Sequence, residues 1–165
     1  MQKRLFLLCP TDTLESTINK ISSGDNYFYT SLGNSFDVDS ETLQHIKELV
    51  DKQEICKIYF VLSNDNKIIL DALGGQFFSH ISGLKKCYKE VKKQQRNAEI
   101  IEKSEGSQFS ILSYYLNRKR KELQFQLDHL CAHDVAVSAK IYNKQENSFR
   151  DIYADLICLE RHSLN

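Results

Sequence analysis

The first third of the chain alternates short apolar runs with apolar residues at helical spacing. Lys3–Leu8 ends in four consecutive apolar residues and predicts a buried strand. Asp12, with Glu15 three positions on, has the form of a helix start, and Leu14, Ile18 and Ile21 follow at helical intervals. Residues 22–26 read as a loop, and 27–32 as a second strand closed by Gly33-Asn34-Ser35. Asp39 can cap a helix that carries Leu43, Ile46 and Val50 on one face, and 56–62 is a third strand. Strand, helix, strand, helix, strand predicts a parallel sheet with right-handed crossovers.

The middle of the chain predicts helices. One covers 68–78, interrupted by Gly74-Gly75, and another carries Leu84, Cys87, Val91 and Ala98. Ser104-Glu105-Gly106-Ser107 breaks the pattern. Phe109, Leu112, Leu116, Leu123, Leu127 and Leu130 then mark a long amphipathic helix. Residues 135–143 and 151–159 alternate as two strands joined by a turn at 144–148. The expected fold is one α/β domain over 1–165: a central mostly parallel sheet, flanking helices and an antiparallel C-terminal hairpin.

Composition changes this picture little. Of 165 residues, 41% are hydrophobic, and 22 basic residues balance 22 acidic ones, so bulk charge selects no polyanionic partner. No apolar run approaches the ~20 residues that cross a bilayer, and no membrane partner is expected. The start, Met1 to Cys9, superficially mimics a lipoprotein signal. Its apolar stretch is only Leu5 to Leu8, short of the roughly 7–15 residues of a signal core. Five cysteines without CxxC spacing argue against a disulfide framework and for a cytoplasmic location. Charge is uneven nonetheless: between 83 and 125 there are eleven basic and five acidic residues. That stripe is a solvated helix face or a surface for an acidic partner, as an adaptor would use. No aromatic stacking motif interleaves it, so nucleic acid is not the expected partner.

In an open α/β sheet, ligands bind beyond the carboxyl ends of strands where strand order reverses. Three polar strand ends are visible: Cys9-Pro10-Thr11-Asp12, Ser31-Leu32-Gly33-Asn34-Ser35 and Ser63-Asn64-Asp65-Asn66. The candidate ligand pocket is therefore Cys9, Asp12, Gly33, Asn34, Ser63, Asn64, Asp65 and Asn66. Each has a plainer reading. Cys9 is core, a reactive thiol or a remnant metal ligand. Asp12 caps a helix or acts as a base. Gly33 supplies a turn, with Asn34 supporting it or touching a ligand. Residues 63–66 cap the next helix or line the pocket. His129 and His133 stand four apart, but a helix ending near Leu130 separates them, and no third ligand is proposed.

The order of these segments resembles the β-class carbonic anhydrases. That family ends its first strand in Cys-x-Asp-x-Arg, its second in an Arg-Asn-x-Gly-Asn type turn and its third in Gly-His-x-x-Cys-Gly. Here the corresponding stretches are Leu7-Leu8-Cys9-Pro10-Thr11-Asp12, Thr30-Ser31-Leu32-Gly33-Asn34-Ser35 and Val61-Leu62-Ser63-Asn64-Asp65-Asn66. The helix that follows at 67–73, the helix carrying Gln124 and Gln126, and the closing strand and hairpin extend the likeness. The family holds zinc through two thiolates and one imidazole. Laid over that pattern, the histidine falls on Ser63 and the second cysteine on Asn66, neither of which suits a soft nitrogen–sulfur zinc site. Asp12 stands one residue too far from Cys9, and the motif arginine falls on Thr13 or Leu14. The resemblance thus implies a degenerate relative without zinc or another cofactor. Such a relative would have lost CO2 hydration and would serve as a homodimeric binding or assembly protein, with room for a small-molecule ligand of unspecified kind. The competing reading is an enzyme of unrelated chemistry built on Cys9 and Ser63.

Overall fold

The computed structural model describes residues 1–102 and 108–153. Strand β1 (Lys3–Leu8) leads to helix α1 (Glu15–Ile21), β2 (Asp25–Thr30), α2 (Ser40–Gln53), β3 (Lys57–Ser63) and α3 (Lys67–Leu73). Helices α4 (Lys85–Glu102) and α5 (Gln108–Leu130) follow, then strands β4 (Ala136–Asn143) and β5 (Ser148–Asp151). The strands form one sheet in the order β2-β1-β3-β4-β5. The first three pairings are parallel and β4–β5 is antiparallel. Leu5 lies between Tyr27 and Ile58, which sets the register of the first three strands. The expected fold class is the one observed.

The two faces of the sheet are covered unequally. Leu5, Leu7, Ile58, Phe60, Leu62, Val137 and Ile141 point into the main core, which also takes Ile46 of α2, Ile69 of α3, Val91 of α4 and Leu116 of α5. Each fully buried aliphatic side chain there is worth roughly 1.5–3 kcal/mol. On the opposite face Phe6, Leu8, Val61 and Tyr142 pack with Leu14 and Ile18 at α1, while Phe28, Tyr59 and Phe149 stay half-buried.

Three boundaries differ from expectation. The third helix ends at Leu73 because the chain leaves helical geometry at Gly74. The last strand is Ser148–Asp151, earlier than 151–159, because the turn after β4 is tight and pairs Asn143 with Ser148. Most of the expected strand, 154–159, lies outside the described residues, as does the break at 104–107. Asp12 does not cap α1. It lies in a 3-10 turn (Pro10–Asp12), Thr13 takes a left-handed conformation, and the helix starts at Glu15.

Candidate functional site at the strand ends

Because β1 has β2 on one side and β3 on the other, strand order reverses between β1 and β3. The carboxyl ends of these strands are Cys9 and Ser63, and the turn after β2 lies beside them.

At the end of β1 the chain turns at once. Pro10 enters the 3-10 turn, and the Asp12 N–H donates to the Cys9 carbonyl at 3.1 Å. The turn carries the Asp12 carboxylate across to β3. There it accepts from the Ser63 N–H and from Asn66 Nδ2, both at 2.9 Å. Burial pushes the Asp12 carboxyl above its ordinary range, against the opposing pull of those two donors. The Cys9 sulfur is 1% exposed, accepts from the Gly33 N–H at 3.1 Å and lies 3.1 Å from the Thr11 hydroxyl.

After β2 the backbone makes a 3-10 turn over Leu32–Asn34 in which Gly33 and Asn34 have φ of 62° and 53°. Glycine suits this place twice over. It adopts the left-handed region freely, and a Cβ there would sit 2.8 Å from Ile68 Cγ2. Asn34 is fully buried and donates through Nδ2 to the Val61 carbonyl at 2.9 Å. Its Oδ1 is a buried acceptor without a partner among the described residues. Tyr115, reaching in from α5, donates to the Gly33 carbonyl at 2.8 Å, and its hydroxyl lies 3.2 Å from Cys87 Sγ. Burial, with Cys87 beside it, holds the Tyr115 phenol well above its usual value, and burial also raises the Cys87 thiol.

The third strand end is closed by its own side chains. Asn66 is the N-cap of α3, its Oδ1 accepting from the N–H groups of Ile68 and Ile69 at 3.1 and 3.0 Å. The Ser63 hydroxyl donates to Asp65 at 2.5 Å, which lowers the Asp65 carboxyl, and Lys144 stands 3.5 Å from the same carboxylate. Asn64 turns the other way, toward the hairpin, where its Nδ2 donates to Gln145 Oε1 at 2.9 Å.

All three strand ends therefore meet. Cys9 touches Gly33, Asp12 joins Ser63 to Asn66, and Asn34 holds the β3 backbone. Asn64 and Asp65 lean instead toward the β4–β5 turn. The alternative histidine pair does not assemble. His129 Nδ1 sits 2.7 Å from the Phe125 carbonyl and His133 Nε2 sits 3.1 Å from that of Ile55. Sequence reasoning missed Tyr115 and Cys87. Neither belongs to a motif, and only their reach from α5 and α4 across Gly33 makes them part of the site.

The donor set does not fit a zinc ion. The strand ends offer one thiol, Cys9, whose sulfur is already engaged by the Gly33 N–H, and the thiol of Cys87 on α4 lies against the Tyr115 hydroxyl. The two other ligand positions hold a hydroxyl and an amide that serve Asp65, Asp12 and the cap of α3. Among the described residues no group of three or more His, Cys, Asp or Glu could hold a metal ion. The chemistry left at the site is hydrogen bonding, with one buried free acceptor and one carboxyl whose affinity for a proton is raised.

No family model and no curated protein matches the sequence. Solved structures do. The β-carbonic anhydrase CafD of Aspergillus fumigatus superposes with a TM-score of 0.71 at 15% identity, covering 93% of this chain and 90% of that one. The Coccomyxa β-carbonic anhydrase, solved with acetazolamide, gives 0.69 at 12% identity, covering 99% and 85%. Tetrameric β-carbonic anhydrases of Sordaria macrospora give 0.66 at 15% identity, covering 92% and 80%. The chain has a β-carbonic-anhydrase-like fold.

Proposed function

We propose that this protein is a zinc-free member of the β-carbonic anhydrase fold that no longer hydrates CO2 and acts in the cytoplasm as a homodimeric, single-domain binding or assembly protein. The observation that carries this reading is the strand-end network. The positions where the resemblance puts zinc ligands are taken by Ser63 and Asn66, and their polar groups are spent on Asp12, Asp65 and the α3 cap. Without a metal at that place, nothing else there lowers the pKa of water toward ~7. Self-association is supported by the thinly covered sheet face with its half-buried Phe28, Tyr59 and Phe149. The tetrameric state of the Sordaria macrospora proteins supports it as well. The enzyme reading built on Cys9 has less behind it, because the thiol is buried and hydrogen-bonded.

The test is elemental analysis of purified protein together with a stopped-flow CO2 hydration assay and sedimentation velocity. Well under one equivalent of zinc, no hydration above background and a dimer at micromolar concentration are expected. Stoichiometric zinc retained after mild chelation, or measurable hydration, overturns the reading. A clean monomer removes its assembly part.

A further inference from the structure

The segment between α3 and α4 presents apolar side chains to water: Phe77 is 79% exposed, Phe78 43% and Ile81 36%. This segment is not loosely held. The Asp71 carboxylate of α3 accepts from the N–H of Phe77 at 2.9 Å, from the N–H of Phe78 at 3.0 Å and from the Tyr88 hydroxyl of α4. Those hydrogen bonds outweigh the partial desolvation of Asp71 and keep it below the usual carboxylate range. Gln76 takes a left-handed φ of 54° and donates its N–H to the Asp71 carbonyl at 3.0 Å. The Phe77 ring lies against Gly75, where a Cβ would collide with it. The backbone is thus pinned beneath both phenylalanines while their rings face solvent. Large apolar groups held out in this way mark an interaction surface.

The neighbouring side of α4 is basic. Lys85, Lys89, Lys93 and Arg96 are exposed on one helical stripe, and Lys92 stands beside them. These residues line a shallow groove whose far wall includes Gln76 and Ser79 of the pinned segment. Glu90 is the acidic residue lining that groove, and Arg118 engages it at 3.2 Å. The pinned segment thus borders the cations through Gln76 and Ser79; Phe77 and Phe78 stand between those two residues in the chain, and Ile81 follows two positions on.

We propose that the face formed by the 76–81 segment and the basic stripe of α4 docks on anionic lipid headgroups, with Phe77, Phe78 and Ile81 entering the boundary of the acyl region. Cationic side chains flanking a short apolar wedge are the combination that binds bilayer surfaces reversibly. Lysines predominate over arginine in the groove. Diffuse attraction to a charged surface suits lysine, whereas nucleic acid and bidentate phosphate recognition favour arginine and aromatic rings open to stacking; the aromatic residue lining the groove, Tyr88, is buried with its hydroxyl on Asp71. No helix among the described residues is long and apolar enough to cross a membrane, so the contact is peripheral. This proposal does not depend on the loss of hydration chemistry.

Vesicle co-sedimentation tests it, using phosphatidylcholine vesicles with and without about 30% phosphatidylserine. The wild-type chain is expected to sediment with the anionic vesicles and not with the neutral ones, and to be released by salt. Each basic contact is worth about fivefold, so Lys89→Gln with Lys93→Gln lowers the partition coefficient roughly 25-fold. Phe77→Ser alone, at a ring 79% exposed, lowers it several-fold with the thermal midpoint kept near wild type, and adding Phe78→Ser takes the loss to at least about tenfold. Lys52→Gln, the same charge change on exposed α2, leaves partition unchanged. Absence of binding to anionic vesicles overturns the proposal. So does binding that the phenylalanine changes leave intact, or tighter binding to a single-stranded oligonucleotide than to the vesicles.

Discussion

If the three strand ends converge as described, a metal site can be restored by two substitutions, Ser63→His and Asn66→Cys, which place an imidazole and a second thiol beside Cys9. The change has a cost that the structure sets. Asn66 holds two N–H groups at the start of α3, and losing such a cap costs about 1–2 kcal/mol. Ser63 is buried, so a histidine there must displace its neighbours, at about 1–3 kcal/mol. The metal-free double variant is therefore expected to be less stable than wild type by roughly 2–5 kcal/mol. Zinc at a thousand-fold excess over its Kd returns about 4 kcal/mol. Urea unfolding, followed with chelator and with zinc, reads both numbers. The expected result is a midpoint below wild type in chelator and a return toward it in zinc, while wild type does not respond. Adding Cys9→Ala should abolish most of the zinc effect, because ligand atoms must lie within about 2.0–2.3 Å of the ion. Recovered hydration is not expected, since the Asp-x-Arg pairing of the resemblance has no counterpart here. A folded double variant that ignores zinc, or responds equally without Cys9, would refute the convergence of these segments.

Two further outcomes follow from the same site. Gly33→Ala forces a left-handed φ on a residue with a Cβ, at about 1–2 kcal/mol. It also drives that Cβ against Ile68, so a total loss of about 2–4 kcal/mol is expected in denaturant unfolding; a change below about 1 kcal/mol would show that the turn relaxes freely. Asp12 has a raised folded-state pKa against 3.8 when unfolded, so the native state loses stability through this group as pH climbs from 3.8 through the raised value. Asp12→Asn does not titrate, and it relieves repulsion on Asp65. The stability difference, variant minus wild type, should therefore become more favourable to the variant as pH climbs from 3.8 through the raised value. A difference that stays flat or falls over that range would contradict the burial of this carboxyl.

The sheet was readable from sequence because β1 and β3 are nearly continuous apolar runs, β4 alternates, and α2 between β2 and β3 carries a clean stripe. Asp39 does cap α2, accepting from the Thr42 N–H at 2.8 Å. Asp12 carries the same local signature and does something else. Its donors lie 51 and 54 positions away, and a left-handed Thr13 detaches it from the helix it would have capped. Local pattern cannot register a partner at that distance. The strand ends themselves were legible through topology, since reversal of strand order brings β1 and β3 together whatever their side chains are. Tyr115 was not, because a buried hydroxyl facing a glycine carbonyl leaves no periodic trace. The short β5 was misplaced because its alternation, Ser148 to Asp151, covers four residues, too few for a period to stand out.

The strand order has a consequence for how the chain reaches its native state. Cys9, Asp12, Gly33, Asn34, Ser63 and Asn66 all precede α4, and β2, β1 and β3 pair through segments adjacent along the chain. Strand β4 is different. Lys57 pairs with Ala136, and α3, α4 and α5 lie between them. Closing so long a loop costs entropy before any contact rewards it, and parallel pairing at that separation is slow. The site can therefore be assembled while β3 still lacks its outer neighbour, with one edge of that strand open to another chain until β4 arrives. The arrival of β4 also brings Lys144 to Asp65. Growth of the chain would thus join Cys9, Asp12, Gly33, Asn34, Ser63 and Asn66 first and add the contacts of Asn64 and Asp65 to β4 and its turn last.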